Sequence, residues 1–156
     1  RLSGGSFLRV LGGDGGSANP YLITDVYGLQ GVGPRPRTVP RTGTLANDID
    51  ASGTSGWNCD GAGANCKGFD PIGDSSASYT GTFNGADHVI DGLIINRSGE
   101  NYVGLFGYTD SSSTISNIGL QNGSINGNDN VGGLAGFSSN TTIANAYNTG
   151  DVSGNA

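Results

Sequence analysis

The second half of the chain repeats itself, and this repeat constrains the fold more than any other feature. The segment YVGLFGY at 102–108 returns as VGGLAGF at 131–137, and TISNIG at 114–119 returns as TIANAY at 142–147. Each unit closes with a short segment, GSING or GDVSG, and the matched positions are offset by 27 to 29 residues. Three strand-like pieces in the same order twice predict a stack of similar coils, because one such unit cannot bury its apolar face alone.

Apolar residues recur at fixed points of the repeat. Ile115 matches Ile143, and Ile125 matches Val152, so each unit carries a β-branched residue at the same place. Parallel strands stacked about 4.8 Å apart would align these residues into aliphatic ladders inside a tube. The sequence therefore predicts an all-β fold of the parallel β-helix (β-solenoid) class, in which neighbouring coils are each other's partners.

Asparagine recurs in the same register. Asn117 and Asn145 occupy equivalent positions of the two units. Asparagine is favoured at turns, where its side chain can satisfy nearby backbone groups. We therefore expect these two residues to form an internal asparagine ladder, and we favour this structural role over ligand binding.

The two halves of the chain differ in regularity. Residues 80–156 predict regular coils of about 27–29 residues, and residues 1–79 predict irregular first coils. The segment YLITDVYGL predicts a strand that runs into a short helical turn, and Ser52 to Lys67 is expected to be a loop insertion. Terminal coils of solenoids are commonly irregular because they cover an otherwise sticky end. We interpret residues 1–156 as a single β-solenoid domain.

The junction and the ends carry further expectations. Within 80–97, strands are expected around Phe83 and from Val89 to Ile95, joined by the turn Asn84-Gly85. The chain begins at Arg1 and contains no methionine, which suggests a piece of a longer protein. It closes on Gly-Asn-Ala without a polar cap, so the last coil is expected to pair with further coils or with another copy.

Two cysteines bracket a short loop. Cys59 and Cys66 enclose DGAGAN, whose small residues would allow the loop to fold back and a disulfide to close. Two free thiols are the alternative. A metal site is least favoured, because two cysteines would need two more ligands and His88 is the only histidine. An oxidised pair would fit a secreted or cell-surface protein.

Charge and composition exclude two kinds of partner. The net charge is −6, whereas nucleic-acid binding needs clustered Lys and Arg. Arg35, Arg37 and Arg41 do lie together, but the prolines among them indicate an exposed extended loop rather than an anion site. No apolar run approaches the roughly 20 residues that span a bilayer, so no membrane insertion is expected.

Candidate catalytic and metal-binding residues are sparse. Asp48 and Asp50 would share a strand face, a spacing compatible with paired carboxylates or a calcium site, although turn or surface roles are favoured. His88 has only Asp87 and Asp91 near it in sequence, which favours an exposed loop residue. The run LGGDGG is one imperfect copy of a calcium-binding repeat. We therefore expect no enzyme activity and no cofactor, with calcium as the one ion to consider.

Aromatic residues and glycosylation sequons remain. Trp57, beside the cysteine loop, is the aromatic that we would test as a surface contact for glycans. Tyr102 and Tyr108 belong to the repeat, and Phe137 replaces Tyr108 in the next unit, which favours packing between coils. The remaining candidates for sugar stacking are Tyr21, Tyr27, Tyr79 and Tyr147. Three Asn-x-Ser/Thr sequons begin at Asn96, Asn122 and Asn140.

Several ordered motifs resemble a known family. YLITDVYGLQGVG, LANDIDASGT, GFDPIG, GTFNGADHVIDGLII and VGLFG, in this order, are similar to large two-partner-secreted exoproteins of the filamentous haemagglutinin type. GLFGY and GGLAGF, with TISNIG and TIANAY, resemble the glycine-rich GLUG repeat of bacterial surface proteins. The likeness runs from about Gly12 to Gly154. The Arg-Pro run and the cysteine loop depart from the family pattern.

The resemblance implies a right-handed parallel β-helix exported from a Gram-negative cell, often within very long adhesins or matrix proteins. The function expected from it is a non-catalytic structural or adhesive segment at the cell surface or outside the cell, with host or matrix glycans as possible partners. Two alternatives stay open. One is a subunit that assembles head to tail into a filament, and the other is a polysaccharide-binding or polysaccharide-degrading β-helix.

Overall fold

The computed structural model describes residues 9–33, 42–111 and 113–155. Within them the chain is all-β, as predicted, with one short α-helix, α1 (Val26–Gly31), and one 3₁₀ helix (Ser52–Gly56). The strands are β1 (Tyr21–Ile23), β2 (Gly43–Leu45), β3 (Ile49–Asp50), β4 (Thr82–Asp91), β5 (Ile94–Asn96), β6 (Phe106–Thr109), β7 (Thr114–Gln121), β8 (Ser124–Asn126), β9 (Ala135–Ser138), β10 (Thr142–Asn148) and β11 (Asp151–Ser153). Arg1, the arginines of the Arg-Pro run (Arg35, Arg37 and Arg41) and Ala156 lie outside the described residues.

The strands form three parallel sheets. The largest has the order β1-β2-β4-β7-β10, with β3 also paired to β4. The second has the order β11-β8-β5, and the third pairs β6 with β9. From β4 onward, each pass of the chain adds a strand to the first, second and third sheet in turn, so equivalent strands of successive passes lie side by side.

The registers between passes follow the sequence repeat. Ile115 of β7 pairs with Ile143 of β10, and Ile125 of β8 pairs with Val152 of β11. Tyr108 of β6 pairs with Phe137 of β9. Hydrogen bonds between the last two passes accordingly join residues separated by 27, 28 or 29 positions.

The prediction for the junction is wrong at Asn84-Gly85. The two residues do not form a turn between strands, because β4 runs without a break from Thr82 to Asp91. Its pairing with β7 shifts between Asn84 and His88, where the chain bulges. Ala86 and Asp87 adopt positive φ angles of 51° and 64°, which accommodate the extra residues while the ladder continues on both sides.

The apolar side chains between the sheets form one continuous core. In the first sheet Phe83, Ile115 and Ile143 are register neighbours, and the first two are fully buried. Burying each such side chain stabilises the fold by about 1.5–3 kcal/mol. The largest fully buried residues are Tyr79, Phe69, Phe83, Phe106, Ile23, Leu29, Leu45, Ile49, Ile72, Ile90, Leu93 and Ile95.

The expectation that both ladders are interior throughout needs correction in the last pass. Ile143 and Val152 keep their register but remain 42% and 41% exposed. Among the described residues, β10 and β11 are the final strands of their sheets, so no following strand covers these side chains. Interior ladder positions therefore depend on a neighbour on each side.

The N-terminal part covers the opposite end of the first sheet. As predicted, YLITDVYGL forms a strand followed by a helix, and Asp25 caps α1 by accepting a hydrogen bond from the Gly28 amide at 2.8 Å. The edge of β1 that faces away from β2 is hydrogen-bonded to the preceding segment. The Leu22 amide donates to the Gly12 carbonyl at 2.9 Å, and the Leu11 amide donates to the Leu22 carbonyl at 2.8 Å. Leu11 and Gly12 therefore cover this end of the first sheet.

Candidate functional site

Asparagine side chains form a ladder across the first sheet. Asn145 Nδ2 donates to Asn117 Oδ1 at 3.1 Å, and Asn117 Nδ2 donates to Asn84 Oδ1 at 3.0 Å. Three successive passes are thus linked by amide groups of the same kind. The sequence repeat indicated the pair Asn117 and Asn145, but Asn84 lies beside the bulge of β4 and breaks the 28-residue offset.

Backbone conformation explains why these positions carry asparagine. Asn117 and Asn145 have φ angles of 54° and 51°, in the left-handed region that costs most residues about 1–2 kcal/mol. Asparagine tolerates this region better than other non-glycine residues. The left-handed residue bends the strand while its amide remains available to the next pass.

Two further amide ladders accompany the first. In the second sheet, Asn126 Nδ2 donates to Asn96 Oδ1 at 3.0 Å. In the connection that follows it, Asn155 donates to Asn128 at 3.2 Å and Asn128 donates to Asn101 at 2.9 Å. Sequence reasoning missed these sets, although the 27-residue spacing of Asn128 and Asn155 is visible in the repeat. Amides are neutral and do not act as acids or bases near pH 7, so the ladders serve to join passes.

A cluster of aromatic rings bridges the third sheet. Tyr108 and Phe137, which are register partners, have ring centroids 4.6 Å apart, and Tyr102 lies edge-on to both at 5.3 and 6.0 Å. All three side chains are half-buried. The expectation that repeat aromatics pack between coils agrees with this arrangement.

Glycine in the middle of the aromatic motif has a steric cause. A Cβ on Gly107 would lie 2.7 Å from the carbonyl oxygen of Tyr102. A Cβ on Gly136 would lie 2.6 Å from the carbonyl oxygen of Asn130. Both distances are far shorter than real Cβ contacts, so the repeated motif needs glycine at the same place in each pass.

Other aromatics differ from their expected exposure. Tyr79 and Tyr21 are core residues, 0% and 5% exposed, and cannot present rings to a sugar. Trp57 is half-buried, with its ring 5.0 Å from that of Tyr27 and 6.5 Å from that of the buried Phe69. It therefore contributes to packing as well as to the surface, and its replacement would affect stability.

The cysteine segment, within the expected loop insertion, folds as a hairpin that the favoured disulfide closes. Cys59 and Cys66 form a disulfide and pair as an isolated antiparallel bridge. Asp60 accepts hydrogen bonds inside the hairpin from the Ala62 and Ala64 amides and from the Asn65 side chain, which lower the pKa of its carboxyl. The Asp60 carboxylate therefore stabilises the turn of the hairpin.

A buried arginine joins the hairpin region to the regular passes, and sequence reasoning missed it. Arg97 is 8% exposed, and its guanidinium lies 3.1 Å from Asp70 and 2.8 Å from Glu100. Lys67, next to Cys66, lies 2.7 Å from Glu100. Burial raises the pKa of Glu100, but the hydrogen bonds and charges of Lys67 and Arg97 outweigh burial and hold that pKa below its ordinary value.

This network predicts an acid-dependent stability. Because the pKa of Glu100 is lowered by folding, its contribution is present above the ordinary value of 4.5 and is lost as the pH falls through the lowered value. Glu100→Gln is expected to lower the free energy of unfolding by about 1 kcal/mol at pH 7 and by much less in acid. Urea denaturation at several pH values measures this. Asp129→Asn, at an exposed carboxylate without an ion pair among the described residues, is the control, and a pH-independent loss in Glu100→Gln would contradict the prediction.

Asp48 and Asp50, the candidate pair of carboxylates, accept hydrogen bonds from different groups. Asp50 accepts from the Ser52 amide and hydroxyl at 3.0 and 2.6 Å. Asp48 accepts from the Val89 amide at 2.9 Å and lies 3.1 Å from Nδ1 of His88. These contacts lower the pKa of both carboxyls. They agree with the favoured turn and surface roles.

His88 was expected to be an exposed loop residue, but it lies within β4 and is half-buried. Its ring pairs with Asp48, 40 positions away, and not with Asp87 or Asp91. Parallel pairing of β3 with β4 brings the two residues together, and the local sequence contains no sign of it.

Among residues 9–33, 42–111 and 113–155, no group of three or more His, Cys, Asp or Glu side chains is placed to hold a metal ion. In LGGDGG, Asp14 accepts from the Gly16 amide at 2.8 Å, as in an ordinary turn. Calcium binding therefore stays a prediction without a described site. Within the same residues, no helix is long and apolar enough to cross a membrane.

Comparison with known proteins finds two relatives. The chain is 39% identical over 160 residues to halomucin of Haloquadratum walsbyi, a match that covers 99% of the chain. It is 33% identical over 117 residues to a Gly-rich membrane protein of Evansella cellulosilytica, a match that covers 70% of the chain. The chain spans 2% of the first relative and 12% of the second. No family model and no solved structure matches it significantly.

Proposed function

We propose that the chain is a non-catalytic, structural segment of a parallel β-solenoid in a cell-surface or secreted protein. The observation that carries the proposal is the in-register stacking of successive passes from β4 onward, in which the chain adds strands to the first, second and third parallel sheet in turn. Side chains of the same kind lie above one another, as Phe83, Ile115 and Ile143 do in the apolar ladder and Asn84, Asn117 and Asn145 do at the bend. Such a stack suits a stiff spacer whose length grows with the number of coils.

A surface or extracellular location is supported by two features. The Cys59–Cys66 disulfide fits an oxidising compartment. One relative is named halomucin and the other a Gly-rich membrane protein, names that point to the cell surface or its exterior. The chain matches only a small share of each, which fits a modular piece of a long protein. The resemblance to haemagglutinin-type exoproteins and GLUG repeats is part of this proposal. The names of the two relatives do not indicate either family.

The hydrogen bonds and ion pairs of the carboxylates favour a non-catalytic role. The carboxylates of Asp48, Asp50 and Asp60 accept hydrogen bonds from the protein's own amides. Glu100 and Asp70 are paired with the buried Arg97. An acid–base pair of a polysaccharide-cleaving site would need two carboxyl groups facing the same substrate bond.

Adhesion to glycans is a second proposed function, in addition to the structural role. The surface that fits it best is the Tyr27–Trp57 pair, since Tyr27 is 42% exposed and its ring contacts Trp57 beside the cysteine hairpin. Rings of this kind can stack on sugar faces. This extension rests on the resemblance and on the exposed ring.

Head-to-tail assembly into a filament is the weaker alternative. It would require the last strand of one copy to pair with β1 of the next. The backbone of Leu22 in β1 is already hydrogen-bonded to Gly12 and Leu11, so the incoming strand would have to displace these residues. That displacement counts against simple end-to-end stacking.

Inserting one more coil tests the spacer role. A second copy of residues 114–141, placed directly before Thr142, is expected to add a full turn and lengthen the molecule by about 4.8 Å. The stability should not fall, because the new coil repeats an interface that already exists between β7 and β10. Small-angle X-ray scattering measures the length, and chemical denaturation measures the stability.

The matched control carries the same insertion with its copies of Ile115 and Asn117 replaced by Asp and Ser. This variant should fail to stack and should leave a flexible bulge. If the unaltered insertion also scatters as a flexible loop, or unfolds in a separate transition, the spacer proposal is wrong.

A further inference from the structure

Three sequons provide three candidate sites for attachment of an N-linked glycan, and the structure distinguishes among them. Attachment needs an Asn-x-Ser/Thr segment at the surface with an Asn side-chain nitrogen that can reach the glycan donor. The sequons begin at Asn96, Asn122 and Asn140. What separates them is how far neighbouring strands already hold each asparagine side chain and its segment.

Asn96 is held by its neighbours in the second sheet. It is the last residue of β5 and the register partner of Asn126. Its Oδ1 accepts the Asn126 amide at 3.0 Å, and its backbone amide donates to the Lys67 carbonyl at 2.9 Å. The middle residue of this sequon is the buried Arg97. Asn96 and Ser98 are exposed, but pairing with β8 on one side and with Lys67 on the other holds the segment in the sheet.

Asn122 is exposed, but its reactive nitrogen is engaged. The residue lies in the turn between β7 and β8, with a φ angle of 53°. Its Nδ2 donates to the carboxylate of Asp91 at 2.6 Å. Hydrogen bonds to a charged group are the strong ones, so this amide is withdrawn from reaction by a neighbouring pass.

Asn140 differs from both. It lies in the short connection between β9 and β10, it is exposed, and its φ angle is 49°. Its side chain makes no hydrogen bond with any described residue. Thr142, the third residue of the sequon, is also exposed, and its hydroxyl has no partner among the described residues.

The middle residue of this sequon explains why Asn140 is turned outward. The Thr141 hydroxyl lies 2.9 Å from the hydroxyls of both Thr109 and Ser113. Thr109 and Ser113 are 0% and 1% exposed. Thr141 is thereby anchored to the preceding pass, while the residues on either side of it project from the bend.

We propose that Asn140 is the glycan acceptor of this segment. Nδ2 of Asn140 would form a bond to C1 of a saccharide, and the bond between C1 and the phosphate oxygen of a polyprenyl-phosphate carrier would break. The carrier leaves with the phosphate, and the amide loses one proton to a base of the membrane-bound oligosaccharyltransferase that supplies the saccharide. No group of this chain other than the sequon takes part.

The position suits such a modification. The connection joins the third sheet to the first, and Asn140 is exposed, so a sugar on Asn140 would not interrupt the amide ladders or the apolar interior. In the preceding pass the corresponding bend carries serines, which lack the amide. The glycan would thus mark one coil rather than every coil.

The test uses the folded 156-residue protein with its disulfide intact. It is incubated with membranes that contain an oligosaccharyltransferase and polyprenyl-linked oligosaccharide, together with a free acceptor peptide that contains Asn-Thr-Thr. Glycopeptide mapping by mass spectrometry should find the glycan on Asn140, with little on Asn96 or Asn122. Asn140→Gln and Thr142→Ala should each lose the mass shift.

A second variant makes the amide argument falsifiable. Asp91→Ala removes the acceptor that holds Asn122 Nδ2, so modification of Asn122 should rise while that of Asn140 is unchanged. The proposal is overturned if the free peptide is modified while Asn140 is not, or if Asn96 or Asn122 carries most of the glycan in the unaltered protein.

Discussion

Replacing Ile115 by alanine is expected to lower the free energy of unfolding by about 2–5 kcal/mol. Ile115 is fully buried and lies between Phe83 on one side and Ile143 on the other within the first sheet. Both neighbours are fixed by backbone pairing, so the structure can close only part of the resulting cavity. Chemical denaturation followed by circular dichroism measures the loss.

The repeat itself supplies the matched control. Ile143 occupies the same place one pass later and is 42% exposed. Alanine at Ile143 removes the same atoms but leaves no enclosed cavity, so the expected loss is about 1 kcal/mol or less. Equal losses at the two positions would mean that stacking on both sides of Ile115 does not determine its contribution.

Replacing Asn117 by alanine is the second large effect that we expect. Asn117 donates to Asn84 and accepts from Asn145, so alanine removes two side-chain hydrogen bonds of about 0.5–1.5 kcal/mol each. Alanine also places a Cβ without a compensating bond at a φ angle of 54°, for about 1 kcal/mol more. The total loss is roughly 2–4 kcal/mol.

A glycine variant separates the two causes. Asn117→Gly loses both hydrogen bonds but tolerates positive φ, so it should be more stable than Asn117→Ala by about 1 kcal/mol. Asn145→Ala loses one hydrogen bond instead of two, on an exposed strand, and should be affected less although its φ angle of 51° carries the same penalty. If Asn117→Gly were as stable as the unaltered protein, the ladder would make no net contribution.

The repeat made the registers of the last two passes predictable. Ile115 and Ile143, Ile125 and Val152, and Asn117 and Asn145 were paired from spacing alone, and each pair consists of neighbours on adjacent strands. Parallel strands align residues separated by one whole unit, so a regular offset in sequence becomes a contact in space. The disulfide and the strand–helix order of YLITDVYGL could likewise be predicted, because each depends on local residues.

Contacts between irregular segments were not predictable. Arg97 contacts Asp70, and His88 contacts Asp48, although no repeated motif relates the segments that carry them. Asn84 joins the first ladder only because β4 bulges beside it. Side-chain patterns do not encode where a bulge will place the residues that follow it.

The sequence by itself determined the strand content, the order of strands from β6 onward and the chemistry of the ladders. These follow from a period that returns the same residue type to the same place. The tertiary structure alone decided which members of a ladder are buried, and which of the three sequon asparagines, Asn140, makes no side-chain hydrogen bond with a described residue. Burial and hydrogen bonding at any position depend on the passes above and below it, so one unit of sequence cannot specify them.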